Sequence, residues 1–78
     1  MWTIKYCGSW NYRPQAESLS VDMNNAGLHT TIEEGETGQF ELFKDYASYM
    51  KEDDRDGIPK FFTLKHVEKR LGGLGEYW

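Results

Sequence analysis

Cys7 is the only cysteine in the chain, and it stands in Tyr6-Cys7-Gly8-Ser9-Trp10-Asn11-Tyr12-Arg13-Pro14, where a short apolar strand gives way to the first helix pattern. A thiol at a strand-to-helix turn is placed for reactivity, because the partial positive charge of a helix N-terminus favours thiolate over thiol. The spacing is that of the first half of a Cys-x-x-Cys redox motif, with Trp10 at the second position. A lone thiolate can attack a disulfide or a peroxide. With no resolving partner at position 10, the mixed disulfide or sulfenic acid must be cleared by an outside thiol, so the workable cycle is monothiol. Arg13, the nearest cation in sequence, and Lys5, beside Tyr6 on the strand, are expected to favour the thiolate. The indole of Trp10 either shields the sulfur or anchors a partner, and the sequence leaves both open. Cysteine is also among the most buried residue types, so a small core residue is the plain alternative.

Other chemistries have less support. Cys7, His29 and His66 are scattered and lack paired-ligand spacing, so no metal site is expected. No serine has a His and an Asp at suggestive spacing, which leaves a hydrolase triad without a basis. Nine basic against 13 acidic residues give a net charge of −4. That balance argues against nucleic acid, whose binding draws on clustered Lys and Arg. Lys65, Lys69 and Arg70 form the one dense basic cluster and read as a solvated helix face near a C-terminus. The acids of Lys51–Gly57 lack the spacing and terminal glutamate of a calcium loop, so the run reads as a surface turn. No stretch approaches the ~20 apolar residues of a membrane span. Without a signal segment, and with a cysteine that has no internal partner, the expected location is the cytoplasm.

The elements that must position Cys7 follow from pattern. At 78 residues the chain is expected to be a single domain, 1–78, with a core rich in its three Trp, five Tyr and four Phe. Residues 2–6 alternate as a strand, with Trp2, Ile4 and Tyr6 on one face. A helix begins between Asn11 and Pro14, carries Ala16, Leu19 and Met23 at helical spacing, and closes at Gly27. Residues 28–33 alternate again. The link through the helix makes this second strand parallel to the first, with a right-handed crossover. After an acidic, glycine-punctuated loop, 39–43 and 46–50 form a hairpin around Lys44-Asp45. A final helix after Ile58-Pro59 carries Phe61, Leu64, Val67 and Leu71 and stops at Gly72-Gly73, leaving a tail from Leu74 to Trp78. The order β-α-β-β-β-α predicts an α+β, thioredoxin-like two-layer sandwich, a mixed four-stranded sheet with both helices on one face.

Three landmarks in order carry a family resemblance: Tyr6-Cys7-Gly8-Ser9, the acidic segment leading into Gly38-Gln39-Phe40-Glu41-Leu42, and Gly57-Ile58-Pro59 ahead of the last helix. Together they resemble the selenoprotein W-related (Rdx) family across nearly the whole chain. The resemblance implies a thioredoxin-like fold and a redox-motif loop at Cys7, Gly8, Ser9 and Trp10. It also implies glutathione-linked thiol chemistry with Cys7 as catalytic nucleophile, and glutathione or a protein thiol or disulfide as partner. Trp10 departs from the family at the second redox position, so the dithiol cycle does not carry over. The chain is then either a monothiol or redox-impaired member, or a non-catalytic module that binds a protein through the Trp10 loop or a sheet edge. No cofactor is implied, and selenium enters only if Trp10 replaces selenocysteine, since UGG is one base from UGA. A further departure is Asp45-Tyr46, where relatives often have Asp-Gly at the hairpin turn.

Overall fold

A computed structural model describes residues 1–53 and 57–73 of the chain. The first strand, β1 (Trp2–Tyr6), buries Trp2, Ile4 and Tyr6 and leaves Thr3 and Lys5 half-exposed, as period-two alternation requires. After it come α1 (Arg13–Asn25), β2 (Thr30–Glu34), β3 (Phe40–Lys44), β4 (Ala47–Lys51) and α2 (Leu64–Gly73). The architecture is α+β: one mixed sheet in the order β2-β1-β3-β4, with β1 parallel to β2 and antiparallel to β3. Strand β4 closes the sheet as an antiparallel edge on β3. Because β1 is an inner strand, the chain leaving its end passes between β2 and β3, and Cys7 is the first residue beyond it.

Helix α1 buries Ala16, Leu19 and Met23, the stripe expected from their spacing. It ends in a Schellman arrangement: Gly27 (φ 87°) donates to the Asn24 carbonyl and Leu28 to that of Met23. This shifts β2, which begins at Thr30 instead of Leu28. The amide of Leu28 is committed to the helix, while the Asn24 side chain accepts from the Thr30 N–H (2.9 Å) and donates to its carbonyl (3.0 Å).

The hairpin turn also shifts by one residue, to Asp45-Tyr46. Both residues have positive φ (49° and 73°), as a two-residue type I′ turn demands. In β4 the register slips between Leu42 and Phe43, leaving Tyr49 as a bulge. Arg70 of α2, itself buried, donates to the Tyr49 carbonyl and ties the helix to this edge strand.

The last helix starts later than its apolar spacing implies. Thr63 accepts from His66 and Val67 N–H, and its own N–H donates to His66 Nδ1 at 3.1 Å, a reciprocal cap that opens α2 at Leu64. Phe61 therefore lies in the connector and not on a helix face, and Gly72 and Gly73 are helical, at the end of the described residues. The expected tail, 74–78, and part of the charged turn, 54–56, lie outside the described residues.

The core gathers Trp2, Ile4, Leu42, Met50 and Phe62 with Leu19 and Met23 of α1 and Val67 of α2. Both helices thus pack on one sheet face, where they touch each other. The other face is built for water. Its register aligns Glu33, Lys5, Glu41 and Lys51 across all four strands, a row of alternating charges that favours neighbouring pairs. Among the described residues, no helix is long and apolar enough to cross a membrane.

Candidate functional site

Cys7 is followed by a turn, not directly by a helix. The Cys7 carbonyl accepts from Tyr12 N–H (3.0 Å) and the Gly8 carbonyl from Asn11 N–H (3.1 Å), so residues 8–11 fold back over the sulfur. Asn11 adopts φ 58°, a left-handed angle that Asn tolerates better than most residues. Helix α1 then begins at Arg13, within the expected window, with Pro14 in its first turn where a missing N–H leaves no bond unmade.

This wrapping covers the thiol that its position at a strand-to-helix turn marked for reactivity, as the plain alternative of a buried cysteine had it: Cys7 has 0% of its surface accessible. Its surroundings are nonetheless polar. The sulfur accepts from Trp10 N–H at 3.3 Å and lies 3.4 Å from Ser9 Oγ. Burial acts to raise the Cys7 pKa, but the Ser9 hydroxyl and the backbone amides of Gly38, Trp10 and Ser9 outweigh it, leaving the thiol below its ordinary value. The thiolate is favoured here by turn amides and a hydroxyl.

The two cations expected to assist point elsewhere. Arg13 binds Glu17 (3.0 Å) and the Tyr6 hydroxyl (3.4 Å). Lys5 projects from the opposite sheet face, its ammonium 5.1 Å from the centre of the Phe43 ring. Alternation along β1 explains this, since Lys5 and Tyr6 must face opposite ways.

Two groups at the site, one in the β2–β3 connection and one at the end of β2, were not assigned to it from sequence. The first is Gly38, with φ 80° in a turn closed by Gln39 N–H on the Glu36 carbonyl (3.0 Å). Its amide helps to lower the Cys7 pKa, and the Trp10 ring lies so close that a Cβ here would come within 3.1 Å of it. The second is Glu34, whose carboxylate rests on Gly8, where any added Cβ would collide with it. The parallel β1–β2 pairing, which sets Tyr6 beside Glu34, brings both to the Cys7 turn.

Trp10 divides its functions. Its amide serves the sulfur, while its ring covers Gly38, meets Tyr12 edge-on (6.0 Å) and remains 57% exposed. The row continues from Tyr12 to Phe61 (4.8 Å), Phe40 (5.3 Å) and Phe62 (5.1 Å), each contact edge to face. Phe61 is the member that sequence periodicity misassigned to a helix face. At 38% exposure it extends the aromatic surface begun by Trp10. His29 is exposed, and His66 serves as the α2 cap. Among the described residues, no three His, Cys, Asp or Glu side chains form a group that could hold a metal ion.

No family model, no curated protein and no solved structure matches the chain.

Proposed function

We propose that this chain is a thioredoxin-like, selenoprotein W-related thiol-redox domain of the cytosol, with Cys7 as a monothiol nucleophile. The observation that carries the reading is the placement of the Ser9 hydroxyl and the Trp10 amide on one sulfur just past an inner strand. In the reaction, the Cys7 thiolate attacks a disulfide R–S–S–R, forming Cys7–S–S–R and releasing a thiolate R–S⁻. Glutathione thiolate then attacks the mixed disulfide, regenerating the Cys7 thiolate and releasing the glutathione–R disulfide. Because Cys7 has no accessible surface, attack requires the 8–11 turn to open, which makes the domain a slow redox protein.

Mass spectrometry after exposure to oxidised glutathione tests this. An adduct confined to the folded protein's Cys7 is expected, slower to form than on the urea-unfolded chain. Absence of the adduct would remove the redox reading.

A second reading, a non-catalytic module that binds a protein, is favoured by a different observation: the thiol is covered while the adjacent Trp10 ring is exposed. It predicts that Cys7→Ser leaves partner binding unchanged and Trp10→Ala weakens it.

A further inference from the structure

Beside the aromatic row lies a hollow of about 250 Å³, walled by Pro14, Ser18, Leu19 and Asp22 of α1 and by Phe61 and Phe62. Phe61 belongs to both features, so an apolar strip runs without interruption from the exposed Trp10 ring through Tyr12 into this hollow. Exposed aromatics leading into a concave pocket make a surface suited to an apolar anchor.

Charge identifies the occupant. Lys60, which lies over the Tyr12 ring at 5.4 Å, is engaged with Glu52 at 3.4 Å, and Arg13, next to Tyr12 in the chain, is held by Glu17 and the Tyr6 hydroxyl. The acids are not matched in this way. Asp22 on the hollow's wall has no ion pair among the described residues, and Glu34, whose carboxylate lies on Gly8 beside the Trp10 turn, has none either. Among the described residues that line the hollow Asp22 is the one charged side chain, so an anionic ligand such as glutathione would meet no lining cation there, whereas a cationic one would meet Asp22, with Glu34 beside the Trp10 turn.

The geometry points to an extended, basic protein segment as the ligand, one apolar side chain seated in the hollow, the next apolar side chain along across Trp10, and its Lys or Arg side chains reaching Asp22 and Glu34. The segment names a partner class for the same end of the molecule as Cys7, yet binding it requires no chemistry at the sulfur.

Two fluorescently labelled peptides, one alternating leucine with lysine and one alternating leucine with glutamate, test the assignment by anisotropy on the reduced protein. The lysine peptide is expected to bind, more weakly as salt rises, and the glutamate peptide not to bind. Trp10→Ala and Asp22→Lys, both at exposed positions, should each weaken binding about tenfold. Glu33→Lys, on the helix-free face, should leave it unchanged, and urea melts would confirm that all three variants fold. Equal binding of the two peptides, or binding of neither, would overturn the assignment. So would displacement of the peptide by oxidised glutathione, or self-association of the chain that Trp10→Ala abolishes. None of these outcomes touches the acidity of Cys7, so this inference and the redox reading fail separately.

Discussion

Non-glycine residues at positive φ occur in three of the described turns, at Asn11, at Asp45-Tyr46 and at Asp53, and the first two of these turns differ in what surrounds them. At the Cys7 turn, Asn11 takes φ 58°, the Trp10 amide before it donates to the sulfur and the Tyr12 amide after it to the Cys7 carbonyl, with Gly38 approaching from another part of the chain. At the hairpin, Asp45 and Tyr46 take φ 49° and 73°, and Tyr46 is 96% exposed with its side chain in water. The first turn builds a site around its unusual backbone angle. The second accepts unfavourable angles because strand register leaves only two residues to reverse the chain. Strain by itself therefore does not mark function here; what distinguishes the Cys7 turn is the set of donors around the sulfur.

Substitutions in the two turns should separate accordingly. The largest effect is expected for Gly38→Val, which places a branched side chain at φ 80° and against the Trp10 ring. It should lower stability by about 2–3 kcal/mol in urea unfolding, and it should disturb Cys7 together with Trp10 fluorescence. Next comes Trp10→Cys, which supplies the missing second thiol at a turn already folded on Cys7. Treatment with oxidised glutathione should give an internal disulfide, and the oxidised variant should exceed its reduced form in stability by about 2 kcal/mol. Failure of the two cysteines to pair would argue against the redox-motif geometry. At the hairpin, Tyr46→Gly should raise stability by about 1 kcal/mol, because glycine adopts this angle without strain, and it should leave Cys7 untouched. The smallest effect belongs to Ser9→Ala. Removing the hydroxyl that contributes most to lowering the Cys7 pKa should move it upward, with little change in stability, as seen by slower alkylation at neutral pH.

Local pattern revealed most of the fold. The five residues of β1 and the Ala16-Leu19-Met23 stripe of α1 coincide with expectation, because each rests on a periodicity that packing preserves. The shifted boundaries trace to side-chain interactions that periodicity does not encode. Asn24 claims the backbone of Thr30, and the Thr63–His66 cap opens α2 beyond Phe61. At the site, Cys7 stood out by its type and position, but its burial did not. Gly38, which helps to lower its pKa, and Glu34, whose carboxylate lies on Gly8, are about thirty positions away and arrive only through parallel pairing of β1 with β2. Arg13 and Lys5 looked like activating cations on sequence distance alone. Strand alternation sends Lys5 to the far face, and Glu17, one helical turn on, holds Arg13.

The lowered Cys7 pKa also links folding to pH. Between the folded pKa and the higher pKa of the unfolded thiol, the unfolded chain binds more protons, so stability rises with pH through that window. The contribution is fully present above the unfolded value and is lost as pH falls through the folded one.

The most direct test of the central claim, that turn amides and a hydroxyl hold Cys7 toward its thiolate, is a pH titration of thiolate ultraviolet absorbance. Cys7→Ser serves as the blank, and folded protein is compared with the chain in urea. The titration midpoint should lie lower in the folded protein than in the unfolded chain. A folded midpoint equal to or above the unfolded one would contradict the account, because burial would then outweigh every donor that the turn supplies.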